Sequence, residues 1–199
     1  MPRQVDRSTA TIAQILSSAR KLFAAGGFEA TSIDDIAAGA GVAKGAVYHH
    51  FASKEEIFTR VLEDVQGEIA ALPMPAANRA LRDVFDLIAA ETLRYLLAAT
   101  EPSRKRILLV DGPTVIGWRK WREIDDRYFG AGARAVLAAA LGGEASQREI
   151  EPIAHLLMGA VMEACLVCAE SPDPKKSARE LTASLRKMLE GLRRQPTHK

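Results

Sequence analysis

Seven consecutive residues, Lys44 to His50, hold the densest chemistry in the chain: Lys44, Tyr48, His49 and His50, set beside the small Gly45 and Ala46. An ammonium, a phenol and two imidazoles share one use, hydrogen bonding to nucleic acid. Lys44 can donate to guanine O6 or N7 or to a phosphate. Tyr48 and His50 suit phosphate oxygens, and His49 suits a base edge. Gly45 and Ala46 leave room for the backbone to approach a duplex closely. Ser32 and Lys54 stand at the starts of the flanking helices, where a hydroxyl and an ammonium add phosphate contacts.

Other groupings compete for attention. His49 and His50 are neighbours on a helix, so they point about 100° apart and do not share a metal ion easily. Cys165-x-x-Cys168 has no second pair and sits in mid-helix, which favours two buried small hydrophobes over a redox or zinc site. No nucleophile with a His base, metal set or phosphate loop is found, so no catalytic residue, metal or cofactor is expected. Trp118 and Trp121 lie three apart, with Tyr128 continuing their side. His155, Met158, Met162 and Glu163 follow one another along a later helix, and Phe85 lies on an earlier one. These seven residues, Tyr128 aside, are candidates for an effector pocket, with ordinary core packing as the alternative and, for the His155, Met158 and Met162 stripe, a dimer seam as well. Leu181, Leu185, Met188 and Leu189 form a stripe that suits a dimer interface, or packing within the chain.

The elements that must position Lys44–His50 are legible from periodicity. Ile12, Ile15, Leu16, Ala19, Leu22 and Phe23 recur at three- and four-residue steps, an amphipathic helix that Gly26-Gly27 ends. Ser32, followed by Asp34 and Asp35, caps a short helix, and a second runs from about Lys44 to Phe51. Ala37, Gly41 and Val47 occupy the places where a helix-turn-helix needs a small crossing residue, a glycine at positive φ and an apolar residue facing the core. Ser53-x-x-Glu56 opens a longer helix that stops before Pro73-Met74-Pro75. Beyond it, a helix spans about Asn78 to Ala99, with Leu81 on its apolar side. A short segment follows from Pro102 to Val110, and Asp111-Gly112-Pro113 turns the chain. The next helix is stopped by Gly142-Gly143. Another starts late, near Ile150, because Pro152 belongs in a first turn. The last follows Asp173-Pro174 and ends near Leu192.

Composition agrees with an all-α protein. The 199 residues are 48% hydrophobic and only 6% aromatic, which argues against disorder. With 27 basic and 25 acidic side chains the net charge is +2, which excludes a histone-like protein but not a local nucleic-acid site. The charge is +2 over residues 1–54, −5 over 55–171 and +5 over 172–199, a hint of separate surfaces. Two cysteines cannot form a disulfide framework. The N-terminus has no apolar segment of a signal peptide, and no apolar run is read as long enough for a membrane span. The expected location is the cytoplasm.

Residues 8–60 closely resemble the DNA-binding domain of the tetracycline-repressor (TetR) family. The resemblance lies in Leu22-Phe23, Gly26-Gly27-Phe28, Thr31-Ser32-Ile33, Ile36-Ala37, Ala40-Gly41-Val42, Lys44-Gly45, Val47-Tyr48, His50-Phe51 and Ser53-Lys54-Glu55. It implies an all-α, nine-helix, Ω-shaped homodimer. A three-helix helix-turn-helix domain would span 1–54, with a connecting helix to about 72. A larger helical domain over 55–199 would bind a small-molecule effector and dimerise. The implied function is transcriptional regulation, most often repression, by binding palindromic double-stranded DNA until the effector releases it. The alternative is a dimeric DNA-binding regulator without an effector; a helical enzyme is disfavoured by the lack of a catalytic constellation.

Overall fold

A computed structural model describes residues 2–73, 83–141 and 146–192, and over these the chain is helical with no strand. Nine continuous helices are present among the described residues. They are α1 (Pro2–Gly26), α2 (Ile33–Ala40), α3 (Lys44–His50), α4 (Lys54–Ala71), α5 (Val84–Ala99), α6 (102–116), α7 (118–140), α8 (Gln147–Glu170) and α9 (Pro174–Glu190). The all-α, nine-helix expectation is met. Packing divides the chain into two compact units: Met1–Glu68 with Glu101–Ile124, and Ile69–Thr100 with Asp125–Lys199.

In the first unit, local chemistry sets the helix ends. Gly27 leaves α1 at φ +86°. Ser32 and Asp35 form a reciprocal capping box at the start of α2, and Gly41 ends that helix in the left-handed region at φ +68°. The helices close on a core containing Ile15, Phe23, Ile36, Ala37, Val47, Phe58 and Leu62. The rings of Phe23, Phe28 and Phe58 meet one another with centroids 5.2–5.9 Å apart. An Arg20–Glu68 ion pair fastens α1 to α4, and it holds the Glu68 carboxyl below the usual carboxylate range.

The unit is not closed by residues 1–68 alone, so packing cuts the chain elsewhere than the expected boundary at 54/55. α6 lies against α1, with Ile107 and Leu108 fully buried. Trp121 is also buried, and its indole N–H donates to the carbonyl of Leu108 at 2.9 Å. Asp111-Gly112-Pro113 does not turn the chain as expected. The helix runs on through it, because residues Arg106–Asp111 form a π-helical stretch just before Pro113. The wider turn absorbs the N–H that proline lacks and the clash of its ring with the preceding turn. A second π-helical stretch, Asp126–Gly130, lies within α7.

The second unit is built from α5, the latter part of α7, α8 and α9, around Phe85, Ile88, Leu137, Ile150, Ala154, Leu157 and Leu189. Asp83 caps α5; Asn78, Leu81 and the Gly142-Gly143 stop fall outside the described residues. α8 begins three residues earlier than expected, at Gln147, because Ser146 and Glu149 form a capping box there. Pro152 therefore sits inside the helix, one turn deeper than its chemistry prefers. Cys165 and Cys168 are buried and free, and burial pushes both thiols up, as expected of small core hydrophobes.

Contrary to expectation, α8 is long and apolar enough, by length and composition, to cross a membrane, and one third of its apolar window is buried in the chain. One face, with Ala154, Leu157, Met158, Met162 and Cys165, is buried; Leu156 and Val167 on the other are 72% and 45% exposed.

Gly112 is closely packed in the first unit, where a Cβ would lie 2.8 Å from the Ile107 carbonyl oxygen, a Leu62 methyl and the Trp121 ring. All three neighbours are held in a closed core. Gly112→Ala is therefore expected to destabilise the protein by about 1–3 kcal/mol, measured as a lower denaturation midpoint.

Candidate nucleic-acid interface

α3 is seven residues long and cannot hold itself together; its position is imposed by its neighbours. Val47 is fully buried and Ala37 of α2 nearly so, so the two helices cross where both side chains are small enough to let them approach. Gly41 makes the turn between them, its N–H and that of Val42 donating back to the carbonyls of Ala38 and Ala37. Burying Val47 fixes the rotation of α3. Lys44, Gly45, Tyr48 and His49 then face solvent, and Ala46 and His50 are half-buried. Tyr48 is 52% exposed, an uncommon position for a large aromatic ring.

Three of the expected contact residues have local partners. Lys44 Nζ donates to Asp34 Oδ2 at 2.9 Å, across from the start of α2; the pair is solvent-exposed and Asp34 raises the Lys44 pKa. Such a pair is weak in water, so a phosphate or a guanine edge competes with it. Lys54 is more committed. Its ammonium donates to the carbonyls of Phe28 and Thr31 at 2.8 and 3.0 Å and lies 4.1 Å above the Phe28 ring. Two of its three protons are thus spent inside the protein. Ser32 is exposed, and its hydroxyl is engaged with Asp35 in the capping box. The His49 and His50 rings meet edge to face at 5.0 Å.

The residues expected around an effector are divided between the two units. Trp118 and Trp121 belong to the first unit, whereas Phe85, His155, Met158, Met162 and Glu163 belong to the second. Trp121 is core, and Trp118 is 53% exposed and stacked upon it at 5.5 Å. Phe85 is part of the second unit's core. Met158 and Met162 are buried in α8, while His155 and Glu163 stand on its exposed face, so the Glu163 carboxylate pays no burial cost. A groove of about 510 Å³ does exist, in the first unit, between the start of α4 and the 115–120 segment; Phe51, Glu56, Thr59, Ile116 and Lys120 line it, and none of the expected residues do.

The candidate dimer stripe divides too. Leu189 lies in the second unit's core and Leu185 packs against it. Leu181 is half-buried, and Met188 is 71% exposed. Sequence reasoning missed a buried polar pair in this unit, Tyr95 and Asp125, 30 residues apart, whose hydroxyl and carboxylate oxygens are 3.4 Å apart. Tyr95 also meets the Phe129 ring edge-on. No local pattern marks either residue.

An exposed polar face on a short helix, locked by a glycine turn to a second short helix, defines a helix-turn-helix DNA-binding regulator. Comparison with known proteins names the family. Residues 15–61 match the model "Bacterial regulatory proteins, tetR family", and residues 85–192 match "Tetracyclin repressor-like, C-terminal domain". The chain belongs to the TetR family. It is 28% identical over 187 residues to the transcriptional regulator AcrR of Shigella flexneri, covering 87% of this chain and 86% of that one. It is 49% identical to the repressor KstR2 of Mycobacterium tuberculosis over 49 residues, about a quarter of each chain. Among solved structures, a TetR-family regulator from Pectobacterium atrosepticum superposes with a TM-score of 0.74 at 27% identity, over 96% of this chain and 98% of that one. RolR, solved with resorcinol, has the same fold: TM-score 0.69, 18% identity and 98% of each chain.

Lys44→Ala removes the most exposed cation on α3 without touching the core. It is expected to weaken binding to a duplex selected by the wild-type protein about tenfold. The salt dependence should become shallower by about one unit per site, with the helical circular dichroism unchanged.

Proposed function

We propose that this protein is a homodimeric repressor that binds a two-fold symmetric DNA site through paired α3 helices and is released by a small-molecule effector. The observation that carries the DNA half of this reading is the exposed Lys44–Gly45–Tyr48–His49 face, held in register by Ala37, Gly41 and Val47. In such a dimer Lys44, Tyr48 and His49 read the major groove. Ala46 and Gly45 allow close approach. Ser32, His50 and the remaining proton of Lys54 meet phosphates. Two such helices, about 34–36 Å apart, define a palindromic site.

The dimer reading is supported by the second unit. Leu156 and Val167 on α8 and Met188 on α9 are large apolar side chains left exposed. Pro152, Ala160, Glu163 and Val167 recur with Leu156 along one side of α8 at helical spacing, all exposed. A second copy of the chain would cover this side. Burial of the opposite face of α8 in the chain's own core, and the match of residues 85–192 to a regulator C-terminal domain, favour this reading of the apolar helix over a membrane span. The seam therefore centres on Leu156, Val167 and Met188, with Leu181 at its edge; Leu185 and Leu189 are committed within the chain.

The effector belongs to the second unit, where the buried Tyr95–Asp125 pair and the adaptable Met158 and Met162 provide polar and apolar contacts for a small ligand. Release needs only that the effector bind the DNA-incompetent form better; a coupling of about 1–3 kcal/mol gives about 5–150-fold derepression. The family assignment and a cytoplasmic setting go together, since the target is DNA.

Selection from a random duplex library, followed by sequencing, tests the reading directly: an inverted repeat is expected, and a site without two-fold symmetry overturns it. Leu156→Glu with Val167→Glu is expected to yield monomers in sedimentation and to weaken operator binding at least tenfold. A persistent dimer would place the seam elsewhere.

A further inference from the structure

We propose that Asp111 is a positioning residue for DNA binding: from α6 it holds the turn between α1 and α2, and through Phe28 it sets the start of α4. Phe28 is gripped on three sides. Its N–H donates to Asp111 Oδ2 at 2.9 Å, across 83 residues of sequence. Its carbonyl accepts Lys54 Nζ at 2.8 Å, and its ring lies beneath the same ammonium at 4.1 Å. Lys54 also reaches the carbonyl of Thr31, whose own hydroxyl donates to the carbonyl of Gly27. The Arg106 guanidinium stands 3.7 Å from Asp111 Oδ2 and fills the space where a Cβ on Gly27 would project.

The clamp acts at the right place for control. The turn it holds, Gly27 to Thr31, leads directly into the Ser32 cap of α2, and α2 fixes α3 through Ala37 and Gly41. Asp111 therefore sits two hydrogen bonds from Lys54 and one short helix from the recognition face. Its own segment, 101–124, belongs to the first unit, yet both flanking stretches of sequence belong to the second. A rearrangement that draws α6 back removes the acceptor from the Phe28 N–H and loosens the turn whose carbonyls hold Lys54. A π-helical stretch ends at Asp111, and such stretches stand at a register boundary between two helical forms. Asp111 makes no contact with DNA in this scheme; it acts through the backbone of Phe28.

This inference rests on the reading that the first unit binds DNA. The test uses the full chain, a duplex selected by the wild-type protein, and Asp111→Ala, Asp111→Asn, Lys54→Met and the Ala/Met double variant. Asp111→Ala is expected to speed hydrogen exchange of the Phe28 amide about tenfold without DNA and to weaken duplex binding about 5- to 10-fold, with the sedimentation coefficient unchanged. Asp111→Asn keeps an oxygen that can accept the Phe28 N–H and should recover most of both effects. In the double variant the losses should fall short of the product of the two single losses, because both act through Phe28. Asp111→Ala with a lower melting temperature but wild-type affinity overturns the proposal. So does an Asn variant as impaired as the Ala variant, or fully multiplicative losses. A wild-type chain that selects no duplex removes the DNA-binding reading itself. A wild-type chain that selects one, bound equally by Asp111→Ala, removes only the role of Asp111.

Discussion

The DNA-facing end depends on the burial of three side chains, Ile36, Ala37 and Val47. α2 and α3 have eight and seven residues, too few to persist in water on their own. What makes them helices is the burial of these three residues in the core of the first unit, where α2 packs against α1 and α3. Every other feature follows from that. The caps and the Gly41 turn restrict how α2 and α3 can meet, and the burial of Val47 decides which side of α3 is left outside. The exposed face of α3 is thus a by-product of core packing: Lys44, Tyr48 and His49 are exposed because Val47 is not.

The near-neutral total charge makes sense in the same terms. The recognition face carries few cations, and acidic groups stand beside it: Asp34 on Lys44, Asp35 in the Ser32 cap, and Glu55 and Glu56 in the first turn of α4. Attraction to bulk phosphate is therefore modest. In the proposed dimer, a larger share of affinity comes from fitted contacts doubled by symmetry, which favours a high ratio of specific to non-specific binding.

What was legible in the sequence was what is local. The Ser32 box, the Gly27 and Gly41 turns, the small Ala37 and the apolar Val47 all lie in the short stretch from Gly27 to Val47, and each is where its type and spacing placed it. What escaped was set by distance or by competition. Asp111 reads as a turn residue because its partner is 83 positions away. Lys54 reads as a free cation, although two carbonyls of the α1–α2 turn claim it. Trp118 and Trp121 look like one aromatic surface, yet one is core and the other solvent, since a side chain's surroundings depend on which helix covers it. The late start given to α8 weighed Pro152 above a capping box whose hydrogen bonds outweigh one lost backbone bond. The Leu185–Leu189 stripe was real, but α5 and α8 use part of it within the chain. An apolar stripe shows that something covers it without showing what.

The interleaving of the two units has a consequence for synthesis. Residues 1–68 leave the ribosome first, but the first unit is closed by Asp111, Gly112 and Trp121, which emerge only after α5 of the second unit. At about 5–20 residues per second, the lag between Glu68 and Trp121 is several seconds. For that interval the first unit lacks the buried Ile107, Leu108 and Trp121, and α5 awaits its partners α8 and α9 in the second. The usual order, N-terminal domain first and complete, is denied to this chain. The first unit is completed only when residues 101–124 arrive, so a product truncated before them lacks part of that unit's core.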